Sequence, residues 1–275
     1  MINESRIVLN NGVSIPQVGL GVFQNPDGET TVNAVREALS VGYRHIDTAR
    51  IYGNESSVGE GLRQSGVARR DVFVTTKLWN EDIRQERTRE AFLESLDRLG
   101  LDYVDMYLIH WPADHWQRAW EEMAGLYEEH RIRAIGVSNF QPHHLRELMT
   151  ISSVLPAVDQ IESSPLFANN ETISFARSRH IDVEAWSPLG GTGGSLLSDP
   201  HLLALAAKYG KSPAQIVIRW HIQRGVIVIP KSTHAERIRE NIDVADFALS
   251  SEDMAAIDSM ETGTRVGADP DHFDF

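Results

Sequence analysis

Apolar runs of strand length alternate with helix-length amphipathic segments along nearly the whole chain. Eight runs read as strands: residues 15–21, 43–47, 72–77, 104–110, 134–138, 157–161, 182–186 and 226–229. Several are apolar without polar alternation, as strands covered on both faces should be. Between them, residues 31–41, 86–99 and 142–149 carry apolar positions at helical spacing. Eight strand–helix repeats close naturally as a (β/α)8 barrel. The alternative, an open doubly wound sheet, wants a glycine-rich turn leading straight from its first strand into a helix. Only Gly19-Leu20-Gly21 stands there, and no helix starts behind it.

Local signals agree with a barrel preceded by a hairpin. Residues 6–9 and 13–15 flank Asn11-Gly12, a pair suited to a type I′ turn. Ser212-Pro213-Ala214-Gln215 offers an N-cap, a first-turn proline and a capping-box glutamine. Thr233 and Glu236 repeat that spacing after the eighth strand. One glycine-rich run, 190–194 with Thr192 inside it, follows the seventh strand.

Composition narrows the classes. The 275 residues are 41% hydrophobic and 24% charged, an ordinary globular balance, and one barrel domain over 1–275 is expected. No cysteine is present, which excludes disulfides and thiolate metal sites and suits a cytoplasmic location. The opening residues Met1 to Arg6 lack a basic stretch followed by an apolar one, so no signal peptide is expected, and no run is long enough to span a membrane. With Lys plus Arg at 26 against Asp plus Glu at 39, the net charge of -13 repels nucleic acid and anionic membranes. A monomer acting on a small molecule is the expectation, with no metal.

Barrel enzymes place their chemistry where strands end. Reading only those positions gives Asp47 and Tyr52 after the second strand, Lys77 at the end of the third and His110 at the end of the fourth. Each alone has a plain structural reading: a loop cap, a half-buried aromatic, a packed imidazole. Lys77 is the hardest to set aside, because an ammonium in a barrel mouth loses hydration and wants a carboxylate partner.

The chain resembles the aldo-keto reductases. The resemblance rests on Gly42-Tyr43-Arg44-His45-Ile46-Asp47-Thr48-Ala49, Tyr52-Gly53-Asn54-Glu55, Thr76-Lys77-Leu78-Trp79, His110-Trp111-Pro112, Gly136-Val137-Ser138-Asn139-Phe140, Ser187-Pro188-Leu189-Gly190 and Ile229-Pro230-Lys231-Ser232. These run in family order over essentially the full length. Trp186 and the stretch from Pro213 through Trp220 to Val244 are most similar to the bacterial 2,5-diketo-D-gluconate reductase branch.

That resemblance implies a catalytic tetrad of Asp47, Tyr52, Lys77 and His110, reducing an aldehyde or ketone with NADPH. Keto-sugar acids such as 2,5-diketo-D-gluconate and small dicarbonyls such as methylglyoxal are the implied substrates. Tyr52 would protonate the nascent alkoxide, with Lys77 lowering its pKa, Asp47 holding Lys77 and neutral His110 orienting the carbonyl. It also implies that Ser138, Asn139 and Gln160 bond the nicotinamide carboxamide and that Trp186 stacks on its ring. Ser187, Leu189 and Gly191 would follow the pyrophosphate. Lys231, Ser232, Thr233 and Arg237 would surround the 2′-phosphate, and Asn241 the adenine. Phe23, Trp79 and Trp111, with Trp186, would line the substrate pocket. The segment 265–275 would fold over the barrel mouth.

Three positions depart from the family pattern: Asp159 where asparagine is common, Ser163-Ser164-Pro165 where histidine often precedes the proline, and Arg50 inside the tetrad loop. Two other readings stay open. One is a non-catalytic or regulatory nicotinamide-nucleotide-binding barrel. The other is a hydrolase, for which a His-x-His pair is missing at the first strand, and for which Glu162 is the one carboxylate available beside Asp47.

Overall fold

The computed structural model describes residues 5–191 and 194–275. Strands β1 (Arg6–Val8) and β2 (Ser14–Pro16) form an antiparallel hairpin with Ile7 opposite Ile15. Eight parallel strands follow in chain order: β3 (Leu20–Gly21), β4 (His45–Asp47), β5 (Phe73–Leu78), β6 (Val104–Ile109), β7 (Ile132–Ser138), β8 (Val158–Glu162), β9 (Asp182–Trp186) and β10 (Ile227–Val228). The two edges meet through parallel bridges, Val18 to Val228 and Gly21 to Lys231. The Gly19 N–H also donates to the Val228 carbonyl at 2.8 Å. The sheet is therefore the expected (β/α)8 barrel, with no edge left open there.

Helices wrap it: α1 (Glu29–Ser40), α2 (Glu55–Ser65), α3 (Asn80–Arg84), α4 (Thr88–Leu99), α5 (Trp116–Glu128), α6 (Pro142–Ile151), α7 (Asn170–Ser178), α8 (Pro200–Tyr209), α9 (Pro213–Gln223), α10 (Ala235–Ile242) and α11 (Ser251–Asp258). Their apolar faces and the outward strand residues form the main core, with Trp120, Phe92, Phe140 and Ile238 inside it. A second cluster, including Leu202, Ile216, Trp220 and Ile257, ties α8, α9 and α11 together. A third fills the barrel floor. There Leu9 and Ile15 of the hairpin meet Phe73, Met106, Leu108 and Ile227, so the hairpin plugs the end opposite the strand termini.

Three local expectations need correction and one boundary shifts. The run 15–21 is two strands, because Pro16 has no N–H to give and the buried Gln17 turns the chain. The Gln17 amide donates to the carbonyls of Ile222 (3.0 Å) and Val226 (3.2 Å), tying the chain to the floor. The hairpin turn is not type I′. Gly12 alone has positive φ (82°) there, and its N–H reaches the Leu9 carbonyl at 2.8 Å, giving a three-residue loop with a glycine bulge. The segment 86–99 is one helix, α4, set back two residues to Thr88 because Glu86 adopts φ 53° between it and α3. Thr233 caps nothing; α10 begins after His234 without a side-chain cap. The Ser212–Gln215 box forms in both directions, at 3.3 and 3.0 Å.

The helix ring leaves little room at its closest approach. A Cβ on Gly59 of α2 would run into the Leu99 carbonyl at the end of α4, a backbone atom that cannot step aside. Gly59→Ala is expected to cost about 1–3 kcal/mol by overpacking. Urea unfolding of the variant checks this; an unchanged midpoint contradicts the packing.

Candidate active site

Lys77 near the end of β5 is fully enclosed, and so is Asp47 at the end of β4. Its Nζ donates to Asp47 Oδ1 at 2.6 Å, to the Thr48 carbonyl at 2.9 Å and to Tyr52 Oη at 3.4 Å. All three ammonium hydrogens are thereby committed. The other oxygen of Asp47 accepts from Gln160 Nε2 at 2.9 Å. Burial opposes the lysine charge most strongly, but Asp47, Tyr52 and Glu184 together outweigh it, and Lys77 is held above its ordinary range.

Tyr52 closes a one-turn helix, Arg50–Tyr52, ended by Gly53 at φ 67°. Three contacts hold this turn. Arg50 Nε pairs with Asp82 of α3 at 2.8 Å, which gives the unusual arginine a structural role. Asn54 accepts from Thr48 Oγ1 at 2.8 Å and donates to the carbonyls of Val22 and Asn25. Glu55 takes Arg98 Nε at 2.7 Å and Thr76 Oγ1 at 2.6 Å. The expected lowering of the Tyr52 pKa is not what the site shows. Burial pushes the phenol up, Lys77 pulls it down, and burial prevails.

His110 follows β6, with its ring centroid 5.7 Å from that of Tyr52 and 5.3 Å from that of Trp79. Burial and the Lys77 charge hold it well below the usual histidine range, so it is neutral as expected. Its Nδ1 is enclosed without a partner among the described residues, leaving Nε2 as the nitrogen that can face the mouth. Phe23, largely exposed, packs on Tyr52 with centroids 5.0 Å apart.

Next to the tetrad, β7, β8 and β9 bring Ser138, Asn139, Gln160 and Trp186 together. Asn139 Nδ2 donates to the His110 carbonyl at 3.0 Å and its Oδ1 accepts from Trp186 Nε1 at 2.9 Å. Ser138 Oγ donates to the Gln160 carbonyl at 2.8 Å. Asn139 (φ 64°) and Ser187 (φ 47°) both occupy the left-handed region just past their strands, strain of the kind that gathers at ligand sites. Amide and hydroxyl groups beside a half-buried indole suit a flat ring carrying a carboxamide.

The remaining implied cofactor residues form a second group. Leu189 packs on the core and Gly191 (φ 77°) follows; Thr192 lies outside the described residues. Lys231 leaves β10 exposed, and Arg237 is exposed in the first turn of α10. Neither has an ion-pair partner among the described residues, whereas neighbouring Arg239 pairs with Glu37 at 2.7 Å. Ser232 is buried and accepts from the His234 N–H at 3.1 Å; Asn241 is buried beside them. Thr233 shares this loop, half-buried.

The segment 265–275 crosses the mouth as expected. Glu162 at the end of β8 accepts the N–H groups of Val266 and Gly267, so this carboxylate anchors a strap instead of serving hydrolysis. Gly267 lies against the Trp186 ring where any Cβ would collide. Phe273 packs on Trp111, and Phe275 stacks on Trp79 with centroids 5.9 Å apart. Asn80 Nδ2 and Arg84 donate to the main-chain oxygen of Phe275. Asp271 meets His143 Nε2 at 3.2 Å and His144 Nε2 at 3.8 Å. These three have metal-like spacing, yet His144 Nδ1 accepts the Gln141 N–H at 3.1 Å, which keeps its proton on Nε2. The trio reads as a latch. Asp159, another of the departures, is a buried acid pushed well up by burial and accepts the Phe140 N–H. Ser163 and Ser164 bond locally to Ala168 and Phe167.

The described residues contain no helix long and apolar enough to cross a membrane. A model of the aldo/keto reductase family matches residues 17–262. The chain is 50% identical over 273 residues to the 9,11-endoperoxide prostaglandin H2 reductase of Trypanosoma cruzi (strain CL Brener), covering 98% of this chain and 96% of that protein. It is 47% identical over 273 residues to the glyoxal reductase of Bacillus subtilis (strain 168), covering 99% and 98%. Among solved structures, the Bombyx mori aldo-keto reductase in complex with NADP superposes with a TM-score of 0.91 at 38% identity, covering 98% and 97%. The chain belongs to the aldo/keto reductase family and is an oxidoreductase.

The brace under Tyr52 is testable. Asp82 is almost fully enclosed and loses its closest cation in Arg50→Ala, with Arg87 at 3.7 Å the nearest ion-pair partner left among the described residues. The expected cost is about 1–3 kcal/mol in urea unfolding. A variant as stable as the parent would show that the pair contributes nothing.

Proposed function

We propose that the protein reduces aldehydes and ketones with NADPH, Tyr52 donating the proton. The observation that carries this is the fully buried Lys77, whose three hydrogens go to Asp47, to a backbone carbonyl and to Tyr52. A bound reduced nicotinamide supplies the hydride. The chain's own residues supply position and charge. Tyr52 Oη gives its proton to the carbonyl oxygen as hydride reaches the carbon. Lys77 stabilises the tyrosinate left behind, and Asp47 fixes Lys77. Neutral His110 donates from Nε2 to the same carbonyl oxygen and orients it.

Ser138, Asn139 and Gln160 are assigned to the carboxamide, and Trp186 to the nicotinamide face. Ser187, Leu189 and Gly191 are assigned to the pyrophosphate. Lys231, Ser232, Thr233 and Arg237 are assigned to the 2′-phosphate, with Asn241 at the adenine. Two cations without an ion-pair partner among the described residues, beside a helix N-terminus, suit that phosphate on a chain of net charge -13. Phe23, Trp79, Trp111 and Trp186 are assigned to the substrate. A pocket of this kind takes a small carbonyl compound, and the likeness to glyoxal reductase favours a dicarbonyl. The placement near the 2,5-diketo-D-gluconate reductases belongs to this reading, as do one domain over 1–275, a monomer and a cytoplasmic setting.

Tyr52→Phe is expected to lower carbonyl reduction by at least about 10²–10⁴-fold while cofactor binding is kept. Turnover and quenching of tryptophan fluorescence by NADPH, read on one preparation, decide it. Retained turnover in a folded variant removes Tyr52 from the mechanism. Arg237→Ala is expected to weaken NADPH roughly tenfold to hundredfold and NADH far less. Dissociation constants for both cofactors check this, and equal affinity of the parent for the two sinks the phosphate assignment.

A further inference from the structure

A second buried polar pair lies beneath the tetrad. Glu184 of β9 is fully enclosed, in register with Gln160 of β8 and Ile227 of β10. Its Oε1 stands 3.7 Å from Nε2 of His45, equally enclosed on β4. The ring of His45 has a seat prepared for it, since any Cβ on Gly19 would strike its Nδ1 and Cγ. Its Nε2 lies 3.3 Å from Thr75 Oγ1 of β5 as well as 3.7 Å from Glu184 Oε1, so the ring nitrogen that faces Glu184 is shared with a hydroxyl.

The charges around Glu184 are few. Strand β4 brings Asp47 and His45, and β5 brings Lys77. Strand β8 brings only the neutral Gln160, and β10 an isoleucine. Outside the barrel, Arg177 of α7 feels the charge of Asp182 at the other end of β9 and donates to the Arg224 carbonyl. Lys77 has no hydrogen left to give. Gln160 lies close enough to favour its charged form, but the Gln160 Nε2 donates to Asp47, and no hydrogen bond of ordinary geometry reaches either Glu184 oxygen from the described residues. A carboxylate so deeply enclosed would be costly, whereas a neutral carboxylic acid is tolerated beside the neutral His45 ring.

We propose that Glu184 is a positioning residue of the tetrad: held as a neutral acid against His45, it leaves Asp47 as the single negative charge on Lys77. It thereby sets how strongly Lys77 stabilises the Tyr52 anion. This rests on the roles proposed above for Tyr52 and Lys77. Burial and the Asp47 charge push Glu184 up to about 8, so it holds its proton at neutrality. His45, held down to about 3 by burial and Lys77, is neutral. Once ionised, Glu184 adds a negative charge that raises both Lys77 and Tyr52. Alcohol oxidation, which needs tyrosinate as the base, is then delayed to higher pH.

Two measurements test this. Infrared titration of the parent between about pH 6 and 10 should show a carboxylic C=O band that disappears on the alkaline side. Glu184→Gln should lack that band, and Asp159→Asn should keep it. In alcohol oxidation with NADP+, Glu184→Gln should move the rising limb of the pH–rate profile down by about one unit, a tenfold gain at fixed pH on that limb. An unshifted limb in a folded variant overturns the proposal, and so does a parent with no such titrating band, even if the variant fails to fold. Failure of the Tyr52 assignment would show instead as retained turnover in Tyr52→Phe, with the infrared result untouched.

Discussion

An ammonium group sealed inside a barrel is the constraint from which the rest of this site follows. Lys77 is fully buried, and an unpaired charge there would cost several kcal/mol. It is compensated on every side. Asp47 supplies the counter-charge, Thr48 a carbonyl and Tyr52 a hydroxyl. Each of these partners then needs its own support. Gln160 holds the second oxygen of Asp47. Asn54 accepts the Thr48 hydroxyl and donates to the carbonyls of Val22 and Asn25, binding the loop of Tyr52 to the segment after β3. The polar network reaches four strands because one cation must be kept in place.

The barrel was legible in the sequence because strands covered on both faces write themselves as unbroken apolar runs. Six of the eight matched within one or two residues, and 182–186 matched at both ends. The weakest was 15–21, whose break depends on Gln17 finding carbonyls more than two hundred positions away. The helical pattern places the start of α4 two residues early, since the left-handed Glu86 turn that precedes it is set by the packing of α3 and not by that pattern. The tetrad was legible as residue types at strand ends. Its supports were not, since Arg50 with Asp82, Glu55 with Arg98 and His45 with Glu184 are pairs between distant segments. A buried charged residue gives one sequence signal of its own: it stands in or beside an apolar run without a partner in view. Glu184, between Val183 and Ala185, carries that signal.

The mouth is built on a different principle from the floor. Below, strands and polar layers are locked by backbone ladders. Above, the walls are aromatic side chains partly supplied by the strap, which is fastened by Glu162, by the latch at Asp271 and by Asn80 and Arg84. Few of these fastenings are apolar burial of the kind that fixes the core. Phe273 and Phe275 complete the faces of Trp111 and Trp79, so the pocket's shape depends on a segment held by separable contacts. Chemistry and selectivity are thereby divided between parts of unequal rigidity.

The electrostatic balance at Tyr52 bears on direction. A phenol whose pKa is raised stays protonated through neutrality, so the proton for reduction is in place, but it is a weaker acid and leans on Lys77 to stabilise the anion as the proton leaves. Lys77 opposes that rise without overcoming it. On the proposed mechanism the resting site is therefore poised for carbonyl reduction, while the reverse reaction must wait for alkaline conditions. Asp47 and Glu184 act in the same sense, since each carboxylate charge near Lys77 weakens what the lysine can do for a tyrosinate. Of the two, only Asp47 also fixes the lysine in place. That double role explains why one carboxyl is paired at 2.6 Å while the other is buried where it keeps its proton.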